Sequence, residues 1–231
     1  MKKKDLLFIL FLFILFLPFF ISHNLYSFYE IFNSDHGFVM AFIKFAILAT
    51  SGELLGLRIR TGNYFVSGFG FFPRMIVWGF LGLAIKAAFM IFSAGVLPIV
   101  SYLGIKNPSE LLAGSFTAQK LLIAFCISLF LNMFFSPVLM TLHRITDTHI
   151  QKFNGSLIAI FSIINVRSIL KDTDWNMHWG FVLKKTIPLF WIPAHTITFL
   201  LPAQFQILFA ALLGIVLGII LAFASVTGTD K

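Results

Sequence analysis

Long apolar runs separated by short polar segments are the main pattern along this chain. A helix of about 20 apolar residues crosses the ~30 Å hydrocarbon core of a bilayer, because each residue adds about 1.5 Å. The last run is too long for one such helix, and Pro202, which cannot donate a backbone hydrogen bond, interrupts it. The pattern predicts about six transmembrane helices, at residues 6–21, 38–57, 75–97, 121–142, 187–201 and 205–224.

The composition excludes a water-soluble domain. Hydrophobic residues make up 59% of the chain and charged residues 11%, whereas soluble domains have roughly 45–50% and ~25%. A disordered chain is excluded as well, because such chains are poor in aromatic and apolar residues. We therefore predict an all-α, polytopic helical membrane protein that forms a single membrane domain over residues 1–231, with the lipid bilayer as its surroundings.

The basic residues indicate the orientation. With the N terminus inside, all but four of the 17 lysines and arginines lie on one side; Lys44 and Lys86 fall within spans, and Lys106 and Lys120 fall outside. This asymmetry predicts cytoplasmic N and C termini in the cell membrane, or in an organellar membrane if the chain is eukaryotic. A five-span arrangement stays open, since it would move only Lys231 outside. The scattered basic residues do not predict a nucleic-acid partner.

The first 21 residues combine three lysines with an apolar run, as a signal peptide does. The residues that follow lack a small-x-small cleavage site. We therefore predict that this segment stays in the protein as an extra N-terminal span, with cleavage as the alternative.

The longest polar stretch, residues 143–185, is predicted to lie on the cytoplasmic side. Within it, residues 157–166 are apolar but too few to cross a bilayer. Charged residues follow them, and Trp175 and Trp179 suit the headgroup level. The stretch therefore predicts one amphipathic helix in the membrane interface.

Four ionisable side chains within or near the spans are the candidate pathway residues: Lys86, Glu53, His195 and Lys44. Charged groups are costly in lipid, so such residues are functional candidates. The helical rise places Lys44 and Lys86 near or beyond the midplane, with Glu53 and His195 nearer the cytoplasm. We predict a polar pathway lined by Lys86, His195 and Glu53, in which cations attract anions.

A simpler explanation of these residues stays open. Lys44 can extend its ammonium to the membrane surface. His195 can make a hydrogen bond between helices. Glu53 can pair with one of the arginines near the inner boundary, Arg58, Arg60 or Arg74.

Six glycines are predicted to serve helix packing: Gly52, Gly56, Gly79, Gly82, Gly214 and Gly218. The first and last pairs form G-x-x-x-G motifs, which let helices approach closely. Gly79 and Gly82 share a helical face with Lys86. Such faces can also join copies of the chain, so a homo-oligomer is open.

The sequence predicts no enzyme, no metal and no cofactor. The single cysteine, Cys126, excludes a disulfide framework and a multi-cysteine metal site. Motifs of the H-E-x-x-H and G-x-S-x-G types, a phosphate loop and a dinucleotide fingerprint are missing. His143 and Asp147 would share a helical face as an interfacial acid–base pair, but no nucleophile or metal ligand accompanies them.

The segment from Trp191 to Pro202 resembles the signature of the Mpv-seventeen / peroxisomal membrane protein twenty-two family. That signature reads W-P-x-x-Q-x-x-N-F and then V-P. Trp191 and Phe199 match in register, while His195 stands at the glutamine position and Thr198 at the asparagine position. Upstream, the segment 52–56 is similar to the family's glycine–acid segment, and residues 74–82 resemble its helix with an arginine followed by glycines.

The resemblance covers residues 41–224 and leaves the first span as an addition. It implies an integral membrane protein related to peroxisomal or mitochondrial inner-membrane proteins that are thought to provide a channel or small-metabolite pathway. We therefore predict a channel or transporter-like protein that passes small solutes, with anions favoured. The alternative is a non-transporting structural or accessory membrane protein that acts through helix–helix contacts.

Overall fold

The computed structural model describes residues 3–227, with side chains described up to residue 220. It divides the chain into two compact units, Met1–Met40 and Ala41–Lys231. The second unit begins at the residue where the family-like region is predicted to begin. The predictions on Lys2, on Lys231 and on the side chains that end the sixth span lie outside the described residues.

The first unit consists mainly of two helices that pack against each other, α1 (Lys3–Ile21) and α2 (His23–Asp35). Ser22 separates them and caps α2, because its Oγ accepts a hydrogen bond from the Leu25 N–H at 3.3 Å. The rings of Phe19 and Tyr29 join the two helices with a centroid separation of 5.1 Å. The helix α1 coincides with the predicted N-terminal span.

The second unit holds the remaining helices. In chain order these are α3 (Gly37–Thr61, which begins at the end of the first unit), α4 (Phe71–Tyr102), α5 (Pro108–Ala113), α6 (Ala118–Phe134), α7 (Ser136–Lys152), α8 (Ile158–Phe161), α9 (Val166–Asp172), α10 (Trp175–Met177), a π-helical segment (His178–Trp191), α11 (Ile192–Leu200) and α12 (Ala203–Thr227). The helix α6 is central, because it packs against both α4 and α11. Its residues Ile123, Ile127 and Leu131 are buried there.

Within the described residues, four helices are long and apolar enough to cross a membrane: α1, α3, α4 and α12. A fifth span results if α6 and α7 count as one broken span. The protein is therefore an all-α, polytopic helical membrane protein, as predicted, while the count of six is not confirmed. The predicted span 187–201 is divided between the end of the π-helical segment and the nine-residue α11.

The predicted fourth span is bent. The helices α6 and α7 meet at Phe135 with an angle of 45°. Pro137 lies in the first turn of α7, and its ring nitrogen cannot continue the hydrogen-bond ladder of α6. The predicted break before α12 is present, because Leu201 is extended (ψ 153°), as the residue before a proline prefers.

The predicted interfacial helix is two short helices instead of one. The helix α8 ends at Phe161, and Ser162 is extended. Asn165 starts α9, because its side chain accepts a hydrogen bond from the Ser168 N–H at 3.0 Å. Phe161 and Ile163 are 88% and 95% exposed in this segment; exposed apolar side chains of this size suit insertion into a membrane surface.

The glycine motifs of α3 and α12 face each other. A Cβ on Gly52 would lie 2.8 Å from the Ile215 Cα, and a Cβ on Gly218 would lie 2.7 Å from the Gly52 oxygen. A Cβ on Gly56 would lie 3.2 Å from the Gly218 oxygen. The two backbones therefore approach as closely as glycine allows.

The glycines of α4 serve a second close crossing with α3. A Cβ on Gly79 would collide with the Phe42 ring at 2.5 Å. A Cβ on Gly82 would lie 2.7 Å from the Ala41 oxygen. All six predicted packing glycines thus lie at crossings within the chain.

Two glycines allow the loop before α4 to contact the turn after α7 closely. Gly70 and Gly155 both have a φ of +73°, a left-handed conformation that favours glycine. A Cβ on Gly70 would lie 2.5 Å from the Ile150 Cγ2 and 2.8 Å from the Gly155 Cα. This contact positions residues 66–69, which form part of the site described below.

We expect Gly70→Ala to lower stability by about 1–3 kcal/mol more than Gly68→Ala. Gly68 is the matched control, because it also has a positive φ (+83°) but no atom lies within 4 Å of a Cβ there. Both variants carry the backbone strain, and only Gly70→Ala adds the collision. The measurement is the thermal unfolding midpoint in detergent, and equal midpoints for the two variants would show that the contact is unimportant.

Candidate functional site: a long cavity with a buried charge cluster

A cavity of about 680 Å³ runs through the second unit. Its lining residues on α4 extend from Arg74 to Phe89, fifteen positions apart, which corresponds to about 22 Å along the helix. On α3 the lining extends over the same number of positions, from Phe45 to Arg60. The cavity therefore follows two membrane-spanning helices for most of the ~30 Å thickness of a bilayer core.

Three helices place a charge cluster in the wall of this cavity. Glu53 on α3, Arg74 and Trp78 on α4, and His143 and Asp147 on α7 all line it. Arg74 Nη1 lies 2.5 Å from Glu53 Oε2 and 2.6 Å from Asp147 Oδ1. The Arg74 side chain is only 5% exposed, so one guanidinium joins two carboxylates away from bulk water.

The remaining donors of the cluster converge on the other oxygen of Glu53. Trp78 Nε1 donates to Glu53 Oε1 at 2.8 Å, and His143 Nε2 lies 2.8 Å from the same atom. Because an ionised carboxylate only accepts, His143 carries a proton on Nε2. His143 Nε2 also lies 3.6 Å from Asp147 Oδ1. The sequence left three arginines as possible partners of Glu53, and in the structure the partner is Arg74.

Arg74 has further partners that fix its position. Its Nε donates to the Phe69 carbonyl at 2.7 Å, and its guanidinium lies 4.6 Å from the centre of the Phe69 ring. Phe69 belongs to the loop held by Gly70, so the loop and the cluster support each other. Such multiple contacts compensate the cost of burying an ion pair.

Glu53, His143 and Asp147 have the ligand types that bind metal ions, with ligand atoms within 4.8 Å of one another. Arg74 Nη1 is already bound to one oxygen of each carboxylate. The guanidinium therefore supplies the positive charge that a metal ion would bring. The cluster is a closed ion network, and its geometry does not favour a metal centre.

A second polar network lies at the far end of the cavity, where α6 meets α11. The Asn132 amide nitrogen donates to the Ser128 carbonyl at 2.8 Å, and Asn132 Oδ1 accepts from Ser136 Oγ at 2.8 Å. The same amide nitrogen lies 3.1 Å from His195 Nδ1. His195 therefore makes the interhelical hydrogen bond that the sequence left open, and it also lines the cavity.

Aromatic rings surround His195. The Phe89 ring contacts it edge-on at 5.5 Å, and the Trp191 ring lies 5.1 Å away. Asn132 contacts Nδ1, and Nε2 has no hydrogen-bond partner in the described part of the chain. The Trp191 Nε1 is buried and has no hydrogen-bond partner in the described part of the chain.

The opposite end of the cavity, called the basic mouth below, contains two arginines and two neutral polar residues. Arg60 at the end of α3 and Arg144 on α7 line it, and both residues are exposed. Neither arginine forms an ion pair within residues 3–220. Gln151 and Asn154 also lie there, so this mouth offers donors to an anion.

His178, at the start of the π-helical segment, lines the cavity near Arg144. Burial lowers the pKa of His178, and the Arg144 charge lowers it further. Thr141 Oγ1 donates to the Pro137 carbonyl at 2.7 Å, so it accepts from His178 Nε2 at 3.1 Å. His178 is therefore a neutral donor at pH 7, and the charge available at the mouth comes from the two arginines.

The two predicted intramembrane lysines lie elsewhere. Neither Lys44 nor Lys86 is among the residues that line the cavity. Lys44 is buried (6% exposed) and repelled electrostatically by Lys86, which is partly exposed. The structure thus brings Glu53 and His195 to one cavity and places the lysines outside its lining.

Sequence reasoning missed the polar residues of α6 and the arginine mouth. Ser128, Asn132 and Ser136 are spaced four residues apart inside an apolar run, which places them on one helical face. That spacing was a signal for a buried polar stripe. Arg60 and Arg144 carried no such signal, because charges at a span boundary usually mark topology alone.

Comparisons with protein-family models, with curated proteins and with solved structures found no match to this chain. The resemblance to the Mpv-seventeen / peroxisomal membrane protein twenty-two family therefore stays a prediction. The geometry of the cavity is therefore the basis on which a function is proposed.

Proposed function

We propose that this protein is a channel or transporter-like membrane protein that passes small organic or inorganic anions through the cavity of its second unit. One observation carries the proposal: a cavity that follows α3 and α4 for about 22 Å and has charged residues in its wall. Packed helices leave few voids larger than a water molecule. A cavity of about 680 Å³ therefore favours a site that a solute enters over a packing defect.

The charges in the cavity support anions as the solute. Three arginines and two carboxylates line the cavity, which leaves one excess positive charge. Arg74 is paired with Glu53 and Asp147, whereas Arg60 and Arg144 make no ion pair in the described part of the chain. A cleft with unpaired positive charges concentrates anions at its entrance. Lys86, the cation expected from the sequence to attract solute, does not line the cavity, so the proposal gives that role to the arginines.

The alternative of a purely structural protein has less support. Its expected surfaces were the glycine faces, and these faces pack against α3, α4 and α12 of the same chain. The cell membrane remains our proposed location, with the N terminus and the basic mouth on the cytoplasmic side. The C terminus lies on the same side if the segment 187–201 crosses as a span of its own, which makes six in all.

The test is solute flux through liposomes that contain the purified full chain. We expect efflux of phosphate and malonate to exceed efflux of potassium and glucose. The double variant Arg60→Gln/Arg144→Gln should lower anion efflux by about tenfold, because the entrance loses its attraction.

Two variants control for charge in general. Arg167→Gln removes an exposed arginine on α9, and Lys86→Met removes a lysine; neither residue lines the cavity. Both should leave efflux unchanged. Liposomes that release none of these solutes, or that release potassium and phosphate equally well, would overturn the proposal.

A further inference from the structure

We propose that the cavity binds an amphipathic organic anion, with its acidic head at Arg60 and Arg144 and its apolar body extending toward Trp191 and His195. The inference deepens the proposed function, on which it rests, by naming a substrate class for the same cavity. Three features of the lining support it: a basic mouth, an apolar middle and a small polar end.

The basic mouth sets the charge of the head. Arg60 and Arg144 are unpaired within residues 3–220, and Gln151 and Asn154 add neutral donors. A guanidinium binds phosphate or carboxylate oxygens with two parallel hydrogen bonds. Glu53 and Asp147 are paired with Arg74 and His143, which weakens their attraction for a cationic head.

The middle of the cavity sets the character of the body. Beyond the charge cluster most lining residues are apolar, among them Phe45, Ile85, Phe89, Leu131, Phe135 and Ala210. A small hydrophilic anion can pass this wall in a water-filled cavity, but it finds no hydrogen-bond donor there that would hold it. An alkyl or aryl body gains about 0.8 kcal/mol for each buried methylene.

The far end carries one buried donor without a partner in the described part of the chain. The buried Trp191 Nε1 has no acceptor among the described residues. His195 is 8% exposed, and its Nδ1 is held by Asn132. Trp191 lines the cavity, and buried donors in folded proteins nearly always have partners. A small rotation of the ring would bring its N–H to an oxygen of the occupant.

The experiment uses the full chain in nanodiscs of zwitterionic lipid. The probes are alkyl phosphates, from butyl to tetradecyl, with a bromine at the chain end that quenches tryptophan fluorescence. We expect affinity to rise about fourfold for each methylene until the apolar section is filled, and then to level off. Inorganic phosphate should not displace the long probes.

Three variants locate the probe. Arg60→Gln/Arg144→Gln should weaken binding by about tenfold, since two charge-assisted contacts are lost. Arg167→Gln is the matched control and should bind as the unaltered chain does. Trp191→Phe should lose the part of the quenching that requires a chain long enough to reach the far end, while Trp78, which lines the cavity at the charge cluster, still reports occupancy.

The polar end has its own test. A terminal hydroxyl on an unbrominated probe should raise the ligand-induced shift of the melting midpoint in the unaltered chain. The hydroxyl should give no such gain in Trp191→Phe, since the indole donor is missing. The same gain in both proteins would remove the far-end assignment.

The source of the amphiphile is distinguished by a second arm with brominated phosphatidylglycerol in the nanodiscs. Quenching of Trp191 that long alkyl phosphates cannot displace identifies a membrane lipid as the occupant, and displacement identifies a free amphiphile. Both results support binding of an amphipathic anion. Quenching that ignores chain length, or that survives the arginine substitutions, would overturn it.

This inference and the proposed function can fail separately. Binding of alkyl phosphates by a chain that gives no flux in liposomes would retain the site and end the channel proposal. Flux of phosphate through a chain that does not bind the long probes would retain the channel and end the amphiphile assignment.

Discussion

Replacement of Arg74 by methionine is expected to be among the most damaging single changes in this protein. The change would leave Glu53 and Asp147 as two like charges, each with a side chain only 17% exposed, and with His143 as their remaining basic partner. Removing one partner of a buried ion pair typically costs about 3–5 kcal/mol. For a unit of this size we expect the melting midpoint in detergent to fall by about 10 °C or more.

Two further variants separate the ion network from a general loss of packing. Glu53→Gln combined with Arg74→Met removes one of the two uncompensated charges, so the double variant should be more stable than Arg74→Met alone. Arg144→Met removes an exposed, unpaired arginine next to the cluster and should change the midpoint little. An Arg74→Met protein that melts within a degree or two of the unaltered chain would contradict the network.

The second large effect is expected at the crossing of α3 and α12. Gly52→Ala would place a Cβ 2.8 Å from the Ile215 Cα, and Gly218→Ala would place one 2.7 Å from the Gly52 oxygen. In both cases the obstacle is backbone, which yields only if the helices separate. We expect each substitution to cost about 2–3 kcal/mol.

The controls for this crossing come from the same chain. Gly95→Ala on α4 meets no atom within 4 Å and should be neutral or slightly stabilising, because alanine favours a helix. The Gly52→Ala/Gly218→Ala double variant should cost less than the sum, since one separation of the helices relieves both collisions. Thermal midpoints measure all four proteins, and additive costs would argue that the two glycines do not share one crossing.

The sequence predicted the class of the fold and several of its boundaries because both follow from local rules. Apolar length identified α1, α3, α4 and α12, and Pro202 marked the break before α12. The bend at Phe135 was missed, although Pro137 was visible, because a proline in the first turn of a helix is compatible with a straight continuation in many contexts. The number of spans depends on how the segment 178–200 packs, which local hydropathy does not determine.

The site was predicted only in part because its residues come from different helices. The four-residue spacing of His143 and Asp147 placed them on one face, and Glu53 had three candidate arginines. Choosing Arg74 requires the crossing of α3, α4 and α7. Lys86 was grouped with the pathway from its depth alone, which carries no information on the face of the helix, and Lys86 is not among the residues that line this cavity.

The central claim is that the cavity is a water-accessible route with an excess of positive charge. In a Cys126→Ala background, a cysteine at Leu139, which lines the cavity, is compared with one at Val138, which lies on the outer surface of the same helix. In open membrane vesicles we expect the Leu139→Cys thiol to react with a sulfonate-bearing methanethiosulfonate faster than with its ammonium analogue. Arg60→Gln/Arg144→Gln should abolish that preference, and Val138→Cys should stay unreactive within lipid. A Leu139→Cys thiol that reacts with neither reagent, or with the ammonium reagent faster, would contradict the claim.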